Sequence, residues 1–183
     1  MLTDASDIII GSVDDYSIIV KGVSEDTENN QQTEEQVQQN TANQNVQVEE
    51  TLAASNQELA VLHLINTVRN ENGLPSLGLN PSISLIARSR SIDMIQRNYF
   101  SHTTPDGKNI FSILAENGIM YAAAGENIQQ AFPPSMGTPQ LFLGSWMQSS
   151  SHRNNILSPL YGQAGIGISN DSNKIVAVAV FLS

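Results

Sequence analysis

The run Ile175-Val176-Ala177-Val178-Ala179-Val180-Phe181 is apolar at every position, and this constrains the chain more than any other stretch. A strand with one wet face alternates between apolar and polar residues; a strand without alternation must be covered on both sides. The run therefore predicts a central strand with helices above and below it. Before it, Gln163-Ala164-Gly165-Ile166-Gly167-Ile168 and the turn residues Asn170-Asp171-Ser172-Asn173 complete a hairpin signal. Gly165 and Gly167 alternate along that first strand, which predicts close approach by a neighbouring helix or backbone.

Helix signals precede the hairpin. Ser55 and Glu58 form a capping box, after which Leu59, Leu62, Ile65, Val68 and Arg69 follow at helical spacing until Asn72-Gly73 stops the helix near Glu71. Asn80-Pro81 opens a second helix with a cap and a first-turn proline, and Ile83, Ile86, Ala87 and Met94 give it an apolar side through about Asn98. A third helix is expected over Ile110 to Glu116, ending at Gly118. Thr138-Pro139 caps a fourth that carries Leu141, Phe142, Ser145, Trp146 and Ser149. Trp146, four residues after Phe142, reads as a core anchor. Helices first and an antiparallel hairpin last indicate an α+β layered domain.

Charge separates this domain from what precedes it. Residues 1–58 hold twelve Asp and Glu against the single Lys21, whereas residues 59–183 hold six acids against seven Lys and Arg. The acidity thus belongs to the leader, and a near-neutral domain without a basic stripe argues against nucleic-acid binding. Residues 1–23 contain two β-branched runs around Asp14-Asp15 and read as a hairpin, the remnant of an upstream domain. Residues 24–54, rich in Gln, Asn and Glu, read as a flexible linker, and residues 55–183 as the folded domain. The opening residues lack the basic and apolar regions of a signal peptide, and no stretch approaches the ~20 apolar residues of a membrane span. The absence of cysteine excludes disulfides, thiolate nucleophiles and cysteine-ligated zinc.

The chemistry-bearing residues lie between Tyr99 and Arg153. His102 follows an aromatic pair and precedes the Pro105-Asp106-Gly107 turn; Glu126 stands in Ala124-Gly125-Glu126-Asn127; His152 is flanked by Ser151 and Arg153. His102 and Glu126 are expected on two loops brought together by the intervening helix, with His152 as the second imidazole. Two imidazoles can hold a zinc-like ion, with a carboxylate completing the set or orienting a ligand. The spacing matches no His-x-x-x-His or His-Glu-x-x-His arrangement, so hydrogen-bonded loop histidines are the alternative. Ser149 with His152 as nucleophile and base lacks a Gly-x-Ser-x-Gly elbow. His63, inside the first helix, reads as structural or solvent-exposed.

Six segments in order carry a resemblance: Asn66-Thr67-Val68-Arg69 through Gly73-Leu74-Pro75, Phe100-Ser101-His102, Ala124-Gly125-Glu126-Asn127-Ile128, Trp146-Met147-Gln148-Ser149, His152-Arg153-Asn154-Asn155-Ile156-Leu157 and Gly165-Ile166-Gly167. From about Leu59 to Phe181 the chain resembles the bacterial, SCP-like branch of the CAP superfamily, which comprises cysteine-rich secretory, antigen 5 and pathogenesis-related proteins. The resemblance implies a three-layer α-β-α sandwich with a mostly antiparallel central sheet and an open cleft. In the family that cleft often holds two histidines and two glutamates. His102, Glu126 and His152 match three of them, and Ser149 stands at the fourth, so an ion, zinc or another divalent cation, would rest weakly on two imidazoles and water. Asn127, Ser149 and Arg153 are implied as cleft residues. An extracellular or cell-surface location is implied as well. Three functions stay open: a non-enzymatic module binding a small ligand, a divalent ion or a cell-surface partner; a metal-assisted hydrolase (peptidase or cell-wall lytic) with Glu126 as general base; and a structural component of a coat or wall.

Overall fold

The computed structural model describes residues 54–183. The hairpin and linker readings fall on residues outside that range. Ser55 caps α1 (Asn56–Glu71), and its capping box with Glu58 forms in both directions. A two-residue strand, β1 (Gly78–Leu79), precedes α2 (Pro81–Gln96), which Asn80 caps with its side chain, and α3 (Ile110–Glu116) starts from Asn109. Then come β2 (Ala124–Ala131), a 3-10 turn at Pro134–Met136, α4 (Pro139–Gln148), α5 (Ser150–Ile156), β3 (Gln163–Asn170) and β4 (Ile175–Leu182).

The sheet runs β1-β3-β4-β2, parallel between β1 and β3 and antiparallel elsewhere. β4 is central and buried along its whole length, as its unbroken apolar run requires. Its residues divide strictly by parity. Ile175, Ala177, Ala179 and Phe181 join Val61, Ile65, Phe142, Trp146 and Ile156 in a core under α1, α4 and α5, while Val176, Val178, Val180 and Leu182 meet Ile83, Met94, Ile110 and Leu114 under α2 and α3. The result is the three-layer α-β-α sandwich.

Three elements differ from the sequence reading. Ala124–Ala131 is an edge strand where a loop was expected, because AGENIQQA carries one β-branched residue and no apolar alternation to announce it. The fourth helix ends at Gln148, and Ser149, with an extended ψ of 125°, starts the separate helix α5. On α1 the buried face holds Glu58, Val61, Leu62, Ile65 and Arg69, leaving Leu59 43% exposed. Two buried charges explain that rotation. Arg69 donates to the carbonyls of Pro75, Ile156, Ser158 and Tyr161, tying α1 to the end of α5. Glu58 takes two bonds from Arg88 at 2.8 and 2.7 Å and one from the Ile168 backbone N–H at 3.1 Å, which joins α1, α2 and β3. Burial pushes the Glu58 carboxyl up, but the hydrogen bonds from Arg88, Ser55 and Ile168 and the Arg88 charge outweigh it and leave its pKa below the ordinary glutamate value.

The two glycines of β3 let α2 lie directly on the sheet. A methyl at Gly165 would fall on the Ile83–Ser84 peptide, and one at Gly167 on the Ala87–Arg88 peptide. Gly167→Ala is expected to cost at least ~3 kcal/mol, beyond ordinary overpacking, because backbone cannot move aside as a side chain can. A urea midpoint within error of the parent would contradict this seating of α2. Glu58→Gln is expected to cost about 2 kcal/mol at pH 7. Since the folded carboxyl has the lowered pKa, the difference between parent and variant is full above the ordinary glutamate value and shrinks as pH falls through the folded one. Thermal melts between pH 7 and pH 3 read both the size and the direction.

Candidate functional site

The site wraps around the edge strand β2. Side chains alternate along a strand, so the consecutive residues Glu126 and Asn127 face opposite layers. Glu126, with the parity of Ile128, points into the α2–α3 layer; Asn127, with the parity of Ala131, points into the layer of α4 and α5. Each holds one histidine of the pair.

On the α2 side, Glu126 is buried and both its oxygens are engaged. Oε1 accepts from Arg90 Nε at 3.0 Å, and Oε2 lies 2.7 Å from His102 Nδ1. Arg90 is itself 2% exposed, and its other nitrogens donate to the Tyr99 hydroxyl at 2.7 Å and to the Ser101 carbonyl at 3.0 Å, fixing the segment that leads into His102. Tyr99 in turn donates to Asp93. Burial works against the Arg90 charge, yet hydrogen bonding and attraction to Glu126 prevail and raise its pKa above the ordinary guanidinium value. Burial and the bond to Asp93 push the Tyr99 hydroxyl up to about 12, so it remains a neutral donor.

On the α5 side, Asn127 is fully buried. Its Nδ2 donates to the His152 carbonyl at 3.0 Å, and its Oδ1 accepts from Asn155 at 2.8 Å, which pins the first turn of α5 to the strand. The two imidazoles then meet across the edge with ring centroids 6.0 Å apart and planes tilted by 59°. Burial and the neighbouring His102 ring both hold the His152 pKa below the ordinary histidine value, favouring the neutral ring.

Beside His102 opens a hollow of about 280 Å³, walled by Ile110, Phe111, Ala124 and Gly125 and bounded by Asn109 and Asn155. Gly125 leaves room there for two side chains, since a Cβ would lie 2.7 Å from the Tyr161 hydroxyl and 2.9 Å from Asn155 Oδ1 and would make them shift. The structure thus brings together His102, Glu126, His152 and Asn127. Ser149 shares a hydrogen bond with Ser151 at 3.1 Å, and Arg153 donates to the Met147 carbonyl at 2.9 Å; like Asn127 and His152, neither is among the residues that line the hollow. Glu126 acts from a strand, where a loop was expected. His63 is exposed on α1, and Trp146 is buried against Phe142.

Arg90 is the residue that sequence reasoning missed. It occupies the core-facing register of Ile83, Ile86, Ala87 and Met94, and a charge in an apolar stripe demands a buried partner. That was the available signal.

The residues present allow a test of the implied ion. Among the described residues no group of three or more His, Cys, Asp or Glu side chains is placed to hold a metal. A closed, four-ligand structural zinc site therefore does not fit. The two imidazoles, with ring centroids 6.0 Å apart, are the residues that could contribute to an open site, where water or ligand atoms would fill the remaining positions of an ion.

The model of the cysteine-rich secretory protein (CAP) family matches residues 62–182. The chain belongs to the CAP family. YkwD of Bacillus subtilis is 37% identical over 110 residues, covering 60% of this chain and 41% of that protein. An extracellular protein containing an SCP domain from Bacillus anthracis str. Ames has the same fold at a TM-score of 0.62 with 25% identity, over 69% of this chain and 40% of that one. An outer surface protein from Borrelia burgdorferi shares the fold alone, with a TM-score of 0.62 and 13% identity, over 72% of this chain and 96% of that one. The match thus spans about two fifths of the length of the two Bacillus relatives.

Asn127, itself fully buried, is the joint between the CAP sheet and α5: its removal takes a partner from the half-buried His152 carbonyl and leaves the Asn155 amide only its longer bond to the Glu126 carbonyl at 3.3 Å. Asn127→Ala is expected to cost about 2 kcal/mol in chemical denaturation with an unchanged m-value. A loss within ±0.5 kcal/mol, the range of ordinary surface substitutions, would show that β2 and α5 are held together elsewhere.

Proposed function

We propose that this CAP domain is an extracellular, non-enzymatic binding module whose cleft takes a small ligand through an exchangeable divalent ion on His102 and His152. One observation carries the reading: the two rings approach one another from opposite layers, while the nearby carboxylate has one oxygen on Arg90 and the other on the His102 ring. Metal-bound histidines characteristically pass their second ring nitrogen to a carboxylate, the relation of His102 to Glu126. With two protein donors the ion has open positions for a ligand, and the apolar wall of Ile110, Phe111 and Ala124 lies beside them. The B. anthracis relative, described as extracellular, supports a location outside the cell.

The hydrolase reading asks Glu126 to take a proton from an ion-bound water. Its two oxygens already accept bonds from Arg90 and His102, and its side chain is 2% exposed, so the geometry favours an anchoring carboxylate over a general base. The coat-component reading rests on residues outside the described part.

Zinc at about 100 times its dissociation constant is expected to add about 2.7 kcal/mol to stability, visible as a rise in melting temperature at pH 7.5. The gain should vanish near pH 5, because metal ions bind neutral imidazole and compete with protons for it, and in the His102→Ala/His152→Ala double variant. A gain that survives in the double variant would place the ion elsewhere and overturn this reading.

A further inference from the structure

Beneath the histidine pair lies a hydrogen-bonded chain that the binding reading leaves unused: Asp93, Tyr99, Arg90, Glu126 and His102. We propose that Arg90 is a positioning residue that, through the Glu126 carboxylate, fixes His102 as the Nδ1–H tautomer and thereby presents an unprotonated Nε2 to the cleft. This deepens the reading above, because it concerns which atom of His102 the cleft offers to a ligand or ion.

The argument rests on the direction of each bond. A guanidinium only donates, so Glu126 Oε1 must accept from Arg90 Nε. The carboxylate can only accept at Oε2 as well, and the partner 2.7 Å away is His102 Nδ1, which must therefore carry the hydrogen. In a neutral ring the lone pair is then on Nε2, on the edge turned from Glu126. Arg90 cannot swing away: it is 2% exposed, and its remaining nitrogens are held by the Tyr99 hydroxyl and by the carbonyl of Ser101, the residue before His102. One buried cation thus fixes the place of the His102 loop and orients the carboxylate that sets the polarity of its ring.

Glu126→Gln makes a distinctive case. With Arg90 in place, the amide oxygen must turn to the guanidinium and the amide N–H₂ to His102, so Nδ1 becomes an acceptor and the hydrogen moves to Nε2. The side chain keeps its shape while the ring reverses.

The test is the ¹⁵N–¹H long-range correlation spectrum of the metal-free full chain at about pH 8, well above the ordinary histidine value. The parent is expected to show His102 as Nδ1–H, Glu126→Gln as Nε2–H, and Glu126→Gln/Arg90→Gln as a mixture, since glutamine at 90 no longer dictates the amide's orientation. An Nε2–H or averaged parent ring, or a Glu126→Gln ring still Nδ1–H, overturns the proposal. A double variant as uniformly Nε2–H as the single one removes Arg90 from the device. The parent spectrum decides the tautomer even if a variant fails to fold, and Glu126→Gln/Arg90→Met, expected to give the same mixture, decides the part of Arg90 should the glutamine double variant not fold. Zinc affinity of Glu126→Gln is expected to fall about 10–100-fold. Because the tautomer is read without metal, failure to bind zinc would sink the function above and leave this assignment standing; a reversed parent ring with zinc bound would do the opposite.

Discussion

Every layer of this protein depends on the double burial of β4. A strand whose odd and even side chains are both apolar cannot exist at a water-facing surface, so it draws one set of helices onto each side and fixes the sandwich. The side chains differ between the two faces. Toward α2 they are three valines and a leucine, whose branched bulk fills the space to Ile83, Met94 and Leu114; toward α1 and α4 they include two alanines, which leave room for Trp146 and Phe142. The neighbouring strand repeats the logic in reverse, with Gly165 and Gly167 removing side chains so that α2 rests on backbone. Close packing of this kind leaves little freedom to shift, and that rigidity is what the cleft uses.

The cleft is where it is because β2 is an edge. A central strand has neighbours on both sides, and groups from the two helical layers cannot meet around it. At β2 the sheet ends, so the loop after α2 and the first turn of α5 can approach one another past the strand. The alternation of the pleat then supplies one anchor to each layer from adjacent residues, Glu126 for His102 and Asn127 for His152. Gly125, one position earlier on the Asn127 face, keeps the approach of Tyr161 and Asn155 open. Three successive residues thus have three separate tasks, none of them apolar burial, which is why the segment does not look like a strand.

That contrast marks what could be read from the sequence. Capped helices such as α2 and α3, with Asn80-Pro81 and Asn109 as local stops and starts, follow from rules that act within a few residues. The β3–β4 hairpin is equally local. His102, Glu126 and His152 were legible through ordered motifs, and their convergence is geometric fact. The structural arginines were not legible in the same way. Arg69, Arg88 and Arg90 are ordinary helix residues by propensity; what makes them structural is a partner many positions away, at Ile156, Glu58 or Glu126. An apolar periodicity that passes over a charged position, as Ile83, Ile86, Ala87 and Met94 pass over Arg90, is the trace such a pair leaves in one dimension.

The placement of charge also separates stability from chemistry. Arg69 and the Glu58–Arg88 pair sit where elements cross and satisfy backbone carbonyls or an N–H that packing has closed off from water, so they repair the cost of building the layers. Arg90 and Glu126 make only one side-chain bond to backbone, from Arg90 to the carbonyl of the exposed Ser101; their others run to one another, to Tyr99 and outward to a ring that is half exposed. Two apolar residues of the same volume would fill that space at no cost in ions, and often with a gain. A buried ion pair retained at the one point where it touches an exposed imidazole makes sense as a fixture for that imidazole. Burial reaches as far as Glu126, and under the proposed function the surface open to a ligand begins at the half-exposed ring of His102.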